Sequence, residues 1–384
     1  MRFAVDAHAI GRHLTGNEVY VRSLLNGFAR LDGESDFVTY LSTDDAESWV
    51  PARFDVRRIA GNPFVRLGCD FALKLRWDRP DLLHVQYTAP IACPVPVVVS
   101  VHDVSFLEHP TYFPFHRAAQ LRFTVRRTIA RAARILTVSE FSRDAISRAY
   151  GLDPDRISVV HNAAADFFHE VPRGTAPAQV RQRFGINSPF ILSVGDLQPR
   201  KNHIGLIGAF ACMVRACPHL PHQLVLAGKE TWFGGRVYEA ARRSGVGDRI
   251  RLLGFVSDDD LLQLYNACEL FCFPSFYEGF GLPVLEAMAC GAAVCCSNTT
   301  AVPEVADGAA ILFDPGERDE IARAMLDLIQ FPEMRSRMRR LGLQRALRFS
   351  WQEAARQTLA VYYGVAERPQ PVPGTAVAAP ISAP

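Results

Sequence analysis

Phe273-Pro-Ser-Phe-Tyr-Glu278-Gly279-Phe280-Gly281-Leu282-Pro283-Val284-Leu285-Glu286-Ala287-Met288 sets the reading of this chain. The apolar run Leu270–Phe273 reads as a buried strand that enters a turn with two glycines. Pro283 then suits the first position of a helix, where a missing N–H is harmless. Glycines let the backbone approach a ligand closely. The new helix aims free N–H groups and its positive end at the turn, an arrangement that suits a diphosphate. Glu278 and Glu286 flank the turn, and carboxylates accept hydrogen bonds from hydroxyls, as in sugar and ribose groups. By residue type alone the stretch reads equally as a Gly-Phe-Gly turn with two solvated glutamates.

Strand, turn and helix repeat outward from this stretch. Short apolar runs at Phe3–Ala7, Phe37–Leu41, Val56–Ile59, Leu82–Gln86, Val97–Val101, Ile135–Val138 and Ile157–Val160 predict one set of strands. A second set is predicted at Phe190–Val194, Gln223–Ala227, Ile250–Gly254, Leu270–Phe273, Ala293–Cys296 and Ala310–Phe313. Helical periodicity lies between most of them, as in Ile204, Ile207, Ala211 and Val214. Alternation of this kind predicts parallel sheets covered by helices on both faces. Val-Pro-Arg-Gly-Thr-Ala-Pro-Ala breaks the pattern near Val171–Ser188 and reads as a linker, after which Phe190 starts a new first strand. The expectation is two doubly wound α/β units with a ligand cleft beyond the carboxyl ends of their strands.

Length agrees, because 384 residues that are 49% hydrophobic exceed one ordinary core. A formal net charge of +2 carries no nucleic-acid signature. The nine cysteines form no Cys-x-x-Cys pair, and Cys268, Cys272, Cys290, Cys295 and Cys296 sit in apolar runs. They are expected as small buried hydrophobes in a reducing cytoplasm rather than as metal ligands or disulfides. Asp6 interrupts any signal-peptide core, and no apolar run reaches spanning length. A cytoplasmic protein is expected, with peripheral contact at the inner face of the plasma membrane as a further expectation.

Two other segments carry candidate chemistry. Gly195-Asp-Leu-Gln-Pro-Arg200-Lys201-Asn202-His203 follows the first strand of the second unit. Asn202 can cap a helix starting at His203, and Arg200 and Lys201 stand where an anionic ligand of such a sheet belongs. A solvated basic turn fits the same residues. Val97-Val-Val-Ser-Val101-His102-Asp103 ends an apolar strand on a His-Asp pair. That histidine is either a structural hydrogen-bonder or a contact to the reacting group.

Together with Leu136-Thr-Val-Ser139-Glu-Phe-Ser142, these segments resemble glycosyltransferase family 4, retaining enzymes of the two-Rossmann-domain (GT-B) fold. The specific part is Glu278-x7-Glu286, and the resemblance covers nearly the whole chain. It implies an acceptor-side unit over 1–172, a linker over 173–188 and a nucleotide-sugar unit over 189–350. It also implies a helix at 351–368 packed back on the first unit, and 369–384 is expected as a disordered tail. Glu278 would meet hydroxyls of the donor sugar, Glu286 the donor ribose, and the backbone of Gly279, Phe280, Gly281 and Leu282 the diphosphate or sugar. Arg200 and Lys201 would neutralise the leaving nucleoside diphosphate, with Lys229 as a further phosphate contact. His102 would lie against the transferred sugar, and the base near Phe255 and Val256. Asp196 stands where many relatives carry Arg, which leaves that charge to Arg200. The first loop, Leu14-Thr15-Gly16-Asn17-Glu18, offers one glycine, Gly16, where many relatives have two.

The resemblance implies front-face transfer with retained configuration and no resident cofactor or metal. The donor is expected to be GDP-mannose or a UDP-sugar, with mannose the first choice because His102-Asp103-Val-Ser-Phe looks like bacterial mannosyltransferases of polysaccharide assembly. The expected acceptor is a glycan or a lipid-linked sugar. Asp258-Asp259-Asp260 reads as the first turn of a helix capped by Ser257, or as a cation site. Arg117, Arg122, Arg126, Arg127, Arg131 and Arg134 interleave with Leu121, Val125, Thr128, Ile129 and Ala132, as a packed amphipathic helix or a patch for anionic lipid. A sugar-nucleotide epimerase or hydrolase and a silent nucleotide-sugar binder are the rival readings.

Overall fold

The thirteen apolar runs become thirteen strands, arranged in two parallel sheets. In this computed structural model, residues 1–12, 15–172 and 174–367 are described. The 369–384 tail and Arg368 lie outside the described residues. The first sheet holds β1 (Arg2–Asp6), β2 (Asp36–Leu41), β3 (Asp55–Arg58), β4 (Leu82–Gln86), β5 (Val97–Ser100), β6 (Arg134–Thr137) and β7 (Ile157–Val159) in the order 3-2-1-4-5-6-7. The second holds β8 (Phe190–Val194), β9 (Gln223–Ala227), β10 (Ile250–Gly254), β11 (Leu270–Phe273), β12 (Val294–Ser297) and β13 (Ile311–Phe313) in the order 10-9-8-11-12-13. All pairings are parallel, with β1 between β2 and β4 and β8 between β9 and β11. The strand order therefore reverses at β1/β4 and at β8/β11, the two places where a doubly wound sheet opens a crevice for ligands. This is the GT-B architecture.

The helices that matter to the site are α1 (Thr15–Leu31), α2 (Phe115–Arg131), α3 (Glu140–Tyr150), α4 (Thr175–Phe184), α5 (His203–Ala216), α6 (Asp258–Ala267), α7 (Leu282–Ala289) and α8 (Trp351–Ala366). Several begin on a side-chain cap, two of them, Asn202 and Ser257, as expected. Ser139 Oγ accepts from Ser142 N at 3.0 Å, Asn202 Oδ1 from Gly205 N at 3.2 Å, and Ser257 Oγ from Asp260 N at 3.1 Å. The Asp258–Asp260 run is the acidic first turn of α6, where carboxylates favour the positive end of the helix. The segment read as a linker contains α4, whose Pro177 sits in the first helical turn, where a missing N–H breaks no bond.

Helix α8 ends the described chain by returning to the first unit. A Cβ on Gly27 of α1 would meet Ala355 Cβ at 2.5 Å, so the two helices touch through a glycine. The Tyr363 hydroxyl donates to Asp32 Oδ2 at 2.6 Å, and the buried Tyr362 hydroxyl pairs with His84 Nδ1. One apolar cluster runs from Phe3, Phe28 and Tyr362 through Val160 to Phe271, Phe280 and Met288, which ties the units together. The five cysteines of the apolar runs are all buried and free. Among the described residues no helix is long and apolar enough to cross a membrane.

Candidate active site

The loops after β8 and β11 leave the second sheet side by side at its reversal point. In the first, Pro199–Lys201 forms a 3-10 turn, and Asn202 closes it in the left-handed region (φ 53°) before capping α5. This turn points both cations at the second loop. Arg200 Nη1 donates to Glu278 Oε2 at 2.9 Å and to the Tyr277 carbonyl at 3.1 Å. Lys201 Nζ donates to Glu278 Oε1 at 2.6 Å and lies 5.1 Å above the Phe273 ring. Glu278 is thus held on both oxygens across 77 residues of sequence.

Electrostatics follow from burial. Glu278 is 6% exposed. Burial alone would raise its pKa, but Arg200 and Lys201 overcome that and bring it down to about 2. Burial works against the charge of Arg200, but Glu278 and Asp103 together overcome it, so Arg200 holds its proton more firmly than a free arginine. Lys201 holds its proton less firmly, because burial and Arg200 outweigh Glu278. Asp103 adds to the pull on Arg200 and Asp196 to that on Lys201. An additional anion would help to hold the charge of Lys201.

The second loop ends on Gly281, whose φ of 104° suits glycine, and α7 starts at Leu282 with Pro283 second, one residue earlier than the proline alone indicates. One turn in, Glu286 accepts a hydrogen bond from the Tyr265 hydroxyl at 2.9 Å, and burial raises its pKa to about 7. From the first unit comes His102, whose Nε2 donates to Gln86 Oε1 at 3.0 Å. Its ring packs edge-on against Tyr20 at 4.6 Å, and burial brings its pKa to about 4. His102 is therefore a neutral hydrogen-bonding group at neutral pH, not a cation.

One cavity of about 840 Å³ contains all thirteen residues marked in the sequence: Gly16, His102, Arg200, Lys201, Lys229, Phe255, Val256, Glu278, Gly279, Phe280, Gly281, Leu282 and Glu286. It lies between the carboxyl ends of the two sheets. Gly16 sits in the first turn of α1 rather than in a loop. The Phe280 ring is buried against Phe349, so this residue offers the cleft its backbone. Asp196 Oδ1 accepts from Lys229 N at 3.3 Å. Among the described residues, no cluster of three or more His, Cys, Asp or Glu is placed to hold a metal ion.

Two family models match this chain: Glycosyltransferase Family 4 over residues 14–164, and Glycosyl transferases group 1 over residues 178–345. O-antigen chain mannosyltransferase B of Escherichia coli is 36% identical over 267 residues, which cover 69% of each chain. The chain belongs to the group 1, family 4 glycosyltransferases. Serotype-specific mannosyltransferase WbdA of Escherichia coli is 32% identical over 228 residues, covering 59% of this transferase and 28% of that longer protein. Among solved structures, Alr3699/HepE of Anabaena in complex with UDP-glucose has a TM-score of 0.76 at 21% identity, covering 95% of this chain and 100% of that one. At that identity the likeness speaks for the fold.

The sequence reading missed the contacts that close this glycosyltransferase. The Gly279 carbonyl accepts from Ser139 Oγ at 2.7 Å and Ser142 Oγ at 3.2 Å, and Ser142 Oγ also donates to the His102 carbonyl at 2.9 Å. A Cβ on Gly279 would lie 2.2 Å from the His102 carbonyl oxygen, so the two site loops meet only because this residue has no side chain. Glu304 of the second unit caps α3 of the first by accepting from Glu140 N at 3.0 Å and Phe141 N at 3.2 Å. The Tyr277 hydroxyl donates to Glu108 Oε2 at 2.8 Å. The serines lay within a quoted motif without a role, and nothing in the sequence marked Glu304 or Glu108.

Proposed function

We propose that this glycosyltransferase moves a hexose, mannose before others, from GDP-mannose or a UDP-sugar to a glycan or lipid-linked acceptor in polysaccharide assembly, with retention of configuration. The observation that carries the reading is the Arg200–Glu278–Lys201 cluster facing the start of α7 in the shared cavity. The leaving diphosphate lies against Arg200, Lys201 and the first amides of α7, with Lys229 at the outer phosphate. These groups stabilise charge as it develops on the leaving group. Glu278, fixed between the two cations, presents acceptors to the hydroxyls of the sugar. Glu286 takes the ribose, the exposed Phe255 ring and Val256 flank the base, and neutral His102 hydrogen-bonds the sugar from the opposite wall. The leaving phosphate assists deprotonation of the acceptor hydroxyl.

In this reading residues 1–172 bear the acceptor and 189–350 the donor. The choice of mannose is supported by the two Escherichia coli relatives named mannosyltransferases. Helix α2 buries Val125, Thr128 and Ile129 and leaves Phe115 and Phe123 exposed beside Arg122 and Arg126, which supports peripheral contact with anionic lipid at the cytoplasmic face. Its other arginines are partly spoken for, since Arg127 and Arg131 donate to the carbonyls of Ala89 and Ile91.

The test is calorimetric titration of the full chain with GDP-mannose, UDP-glucose and ADP-glucose, followed by assay of nucleoside diphosphate release with and without polyprenyl-diphosphate sugars. Binding of GDP-mannose with acceptor-dependent GDP release is expected. Donor consumption that no acceptor accelerates, or no nucleotide-sugar binding at all, contradicts the proposal.

A further inference from the structure

The exposed apolar side chains of the first unit gather on one of its flanks. The helix Phe71–Asp78 buries Phe71, Ala72 and Leu75, and α2 buries Val125 and Ile129. Phe71, Leu75, Val125 and Ile129 belong to one core cluster against the first sheet, so the outer faces of both helices turn to the same side. On the first of them Leu73, Arg76 and Trp77 are exposed at i, i+3 and i+4, which is a single face. The helical turn ahead of it, Pro63–Val65, leaves Phe64 and Val65 exposed. Ile91 bridges the two elements. Its N–H donates to the Leu67 carbonyl at 2.8 Å, and its own carbonyl accepts from Arg131 Nη1 of α2 at 3.3 Å. Phe64, Trp77, Phe115 and Phe123 are 85, 87, 89 and 72% exposed. Large apolar groups collected on one side of a unit mark a surface that meets a partner.

Charge selects the partner. The acids of residues 63–79, 87–96 and 115–131 are Asp70 and Asp78. Lys74 pairs with Asp70 at 2.7 Å, and the buried Asp78 accepts from the Tyr40 hydroxyl at 2.7 Å and from Arg57 Nε at 3.1 Å. On α3, which packs in the same core cluster, Arg143 pairs with Glu140 at 2.5 Å and Asp144 at 3.6 Å. The flank thus presents the exposed Arg76, Arg122 and Arg126 while its carboxylates are engaged. A second copy of this flank, related by a two-fold axis, would set those arginines against their own counterparts. Exposed Trp and Phe beside Arg is instead the composition of a surface that enters the headgroup layer of an anionic bilayer.

We propose that this flank docks on an anionic lipid bilayer, with Phe64, Leu73, Trp77 and Ile91 inserted alongside Phe115 and Phe123. The inference rests on the peripheral contact proposed above for α2 and adds the apolar surface that holds it. Arg117 and Leu121 of the same helix line the cleft. Docking through the outer face of α2 therefore brings the acceptor side of the cleft within about one helix diameter, roughly 10 Å, of the membrane. A lipid-linked acceptor presents its headgroup at that level.

Flotation of the full chain with phosphatidylcholine vesicles, with and without phosphatidylglycerol, tests it in the absence of donor and acceptor. Binding that requires phosphatidylglycerol and weakens with salt is expected. Trp77→Ser and Phe64→Ser should each weaken it by about tenfold, the partition cost of one large apolar side chain left in water. Both residues are exposed and stand outside the cleft, so GDP-mannose binding by calorimetry should be the same in both variants as in the wild type. Leu347→Ser, at a position of the second unit as exposed as Phe64, should leave flotation unchanged. No flotation at low salt, flotation as strong without phosphatidylglycerol, or flotation indifferent to Trp77→Ser and Phe64→Ser overturns the inference. Equal loss in Leu347→Ser does the same. A concentration-dependent dimer that Trp77→Ser abolishes, without vesicle binding, assigns the flank to a second copy and overturns it too. Vesicle binding by a chain that binds no nucleotide sugar contradicts the proposed function and leaves the docking surface standing.

Discussion

Replacing Glu278 by Gln removes the charge that Arg200 and Lys201 share while keeping the shape of the side chain. The carboxyl titrates at about 2 against an ordinary 4.5. At roughly 1.4 kcal/mol per unit, that difference is about 3 kcal/mol of preference for the ionised form in the folded protein. Breaking a buried ion pair by losing one partner costs roughly 3–5 kcal/mol, which agrees. Urea unfolding at pH 7 is expected to show Glu278→Gln less stable by about 3 kcal/mol with an unchanged denaturant slope. The folded carboxyl holds its proton less tightly than the unfolded one. Its contribution is therefore complete above about pH 4.5 and lost as the pH falls towards 2. In the variant that part of the acid profile flattens. A nucleoside diphosphate at about 100 times its Kd for the variant should return some 2–3 kcal/mol by mass action. Equal stability of variant and wild type at pH 7 would refute the reasoning, since the cations would then be satisfied without the carboxylate.

Other predictions follow the same geometry. Lys201→Ala should lower turnover on the order of 10²–10³-fold, the ~3 kcal/mol of one lost electrostatic donor, measured as kcat with saturating donor. Gly279→Ala places a methyl group on the His102 carbonyl, so the units should part. Small-angle scattering should show a larger radius of gyration, and transfer should fall at least about tenfold, as displacement of reacting groups by 1 Å can cost more than that. Glu286 titrates near 7 and binds the ribose best as a carboxylate. The donor KM should therefore fall as the pH rises from about 6 to 8, and Glu286→Gln should make KM insensitive to pH over that window.

The fold was legible because each strand is a short apolar run closed by a turn, and parallel sheets bury both faces of their strands. The caps Asn202 and Ser257 were legible for a local reason, since each side chain bonds a backbone N–H three residues on; Ser139, which caps its helix in the same way, was not read as a cap. Position along the chain also located Arg200, Lys201 and Glu278, as all stand just past strand ends. Their joining into one cluster was not visible, because it depends on β8 and β11 being neighbours. The same limit hid Glu304, whose partners Glu140 and Phe141 are more than 160 residues away. Gly16 was placed in a loop for want of any marker of the start of α1, and Pro177 disguised α4 as a linker.

A structure of the full chain with bound GDP or UDP tests the central claim most directly. The β-phosphate should lie about 3 Å from Lys201 Nζ and from the first amides of α7, with the ribose at Glu286. A nucleotide whose phosphates contact neither Arg200, Lys201 nor the Leu282 amide, whatever its affinity, would contradict the account.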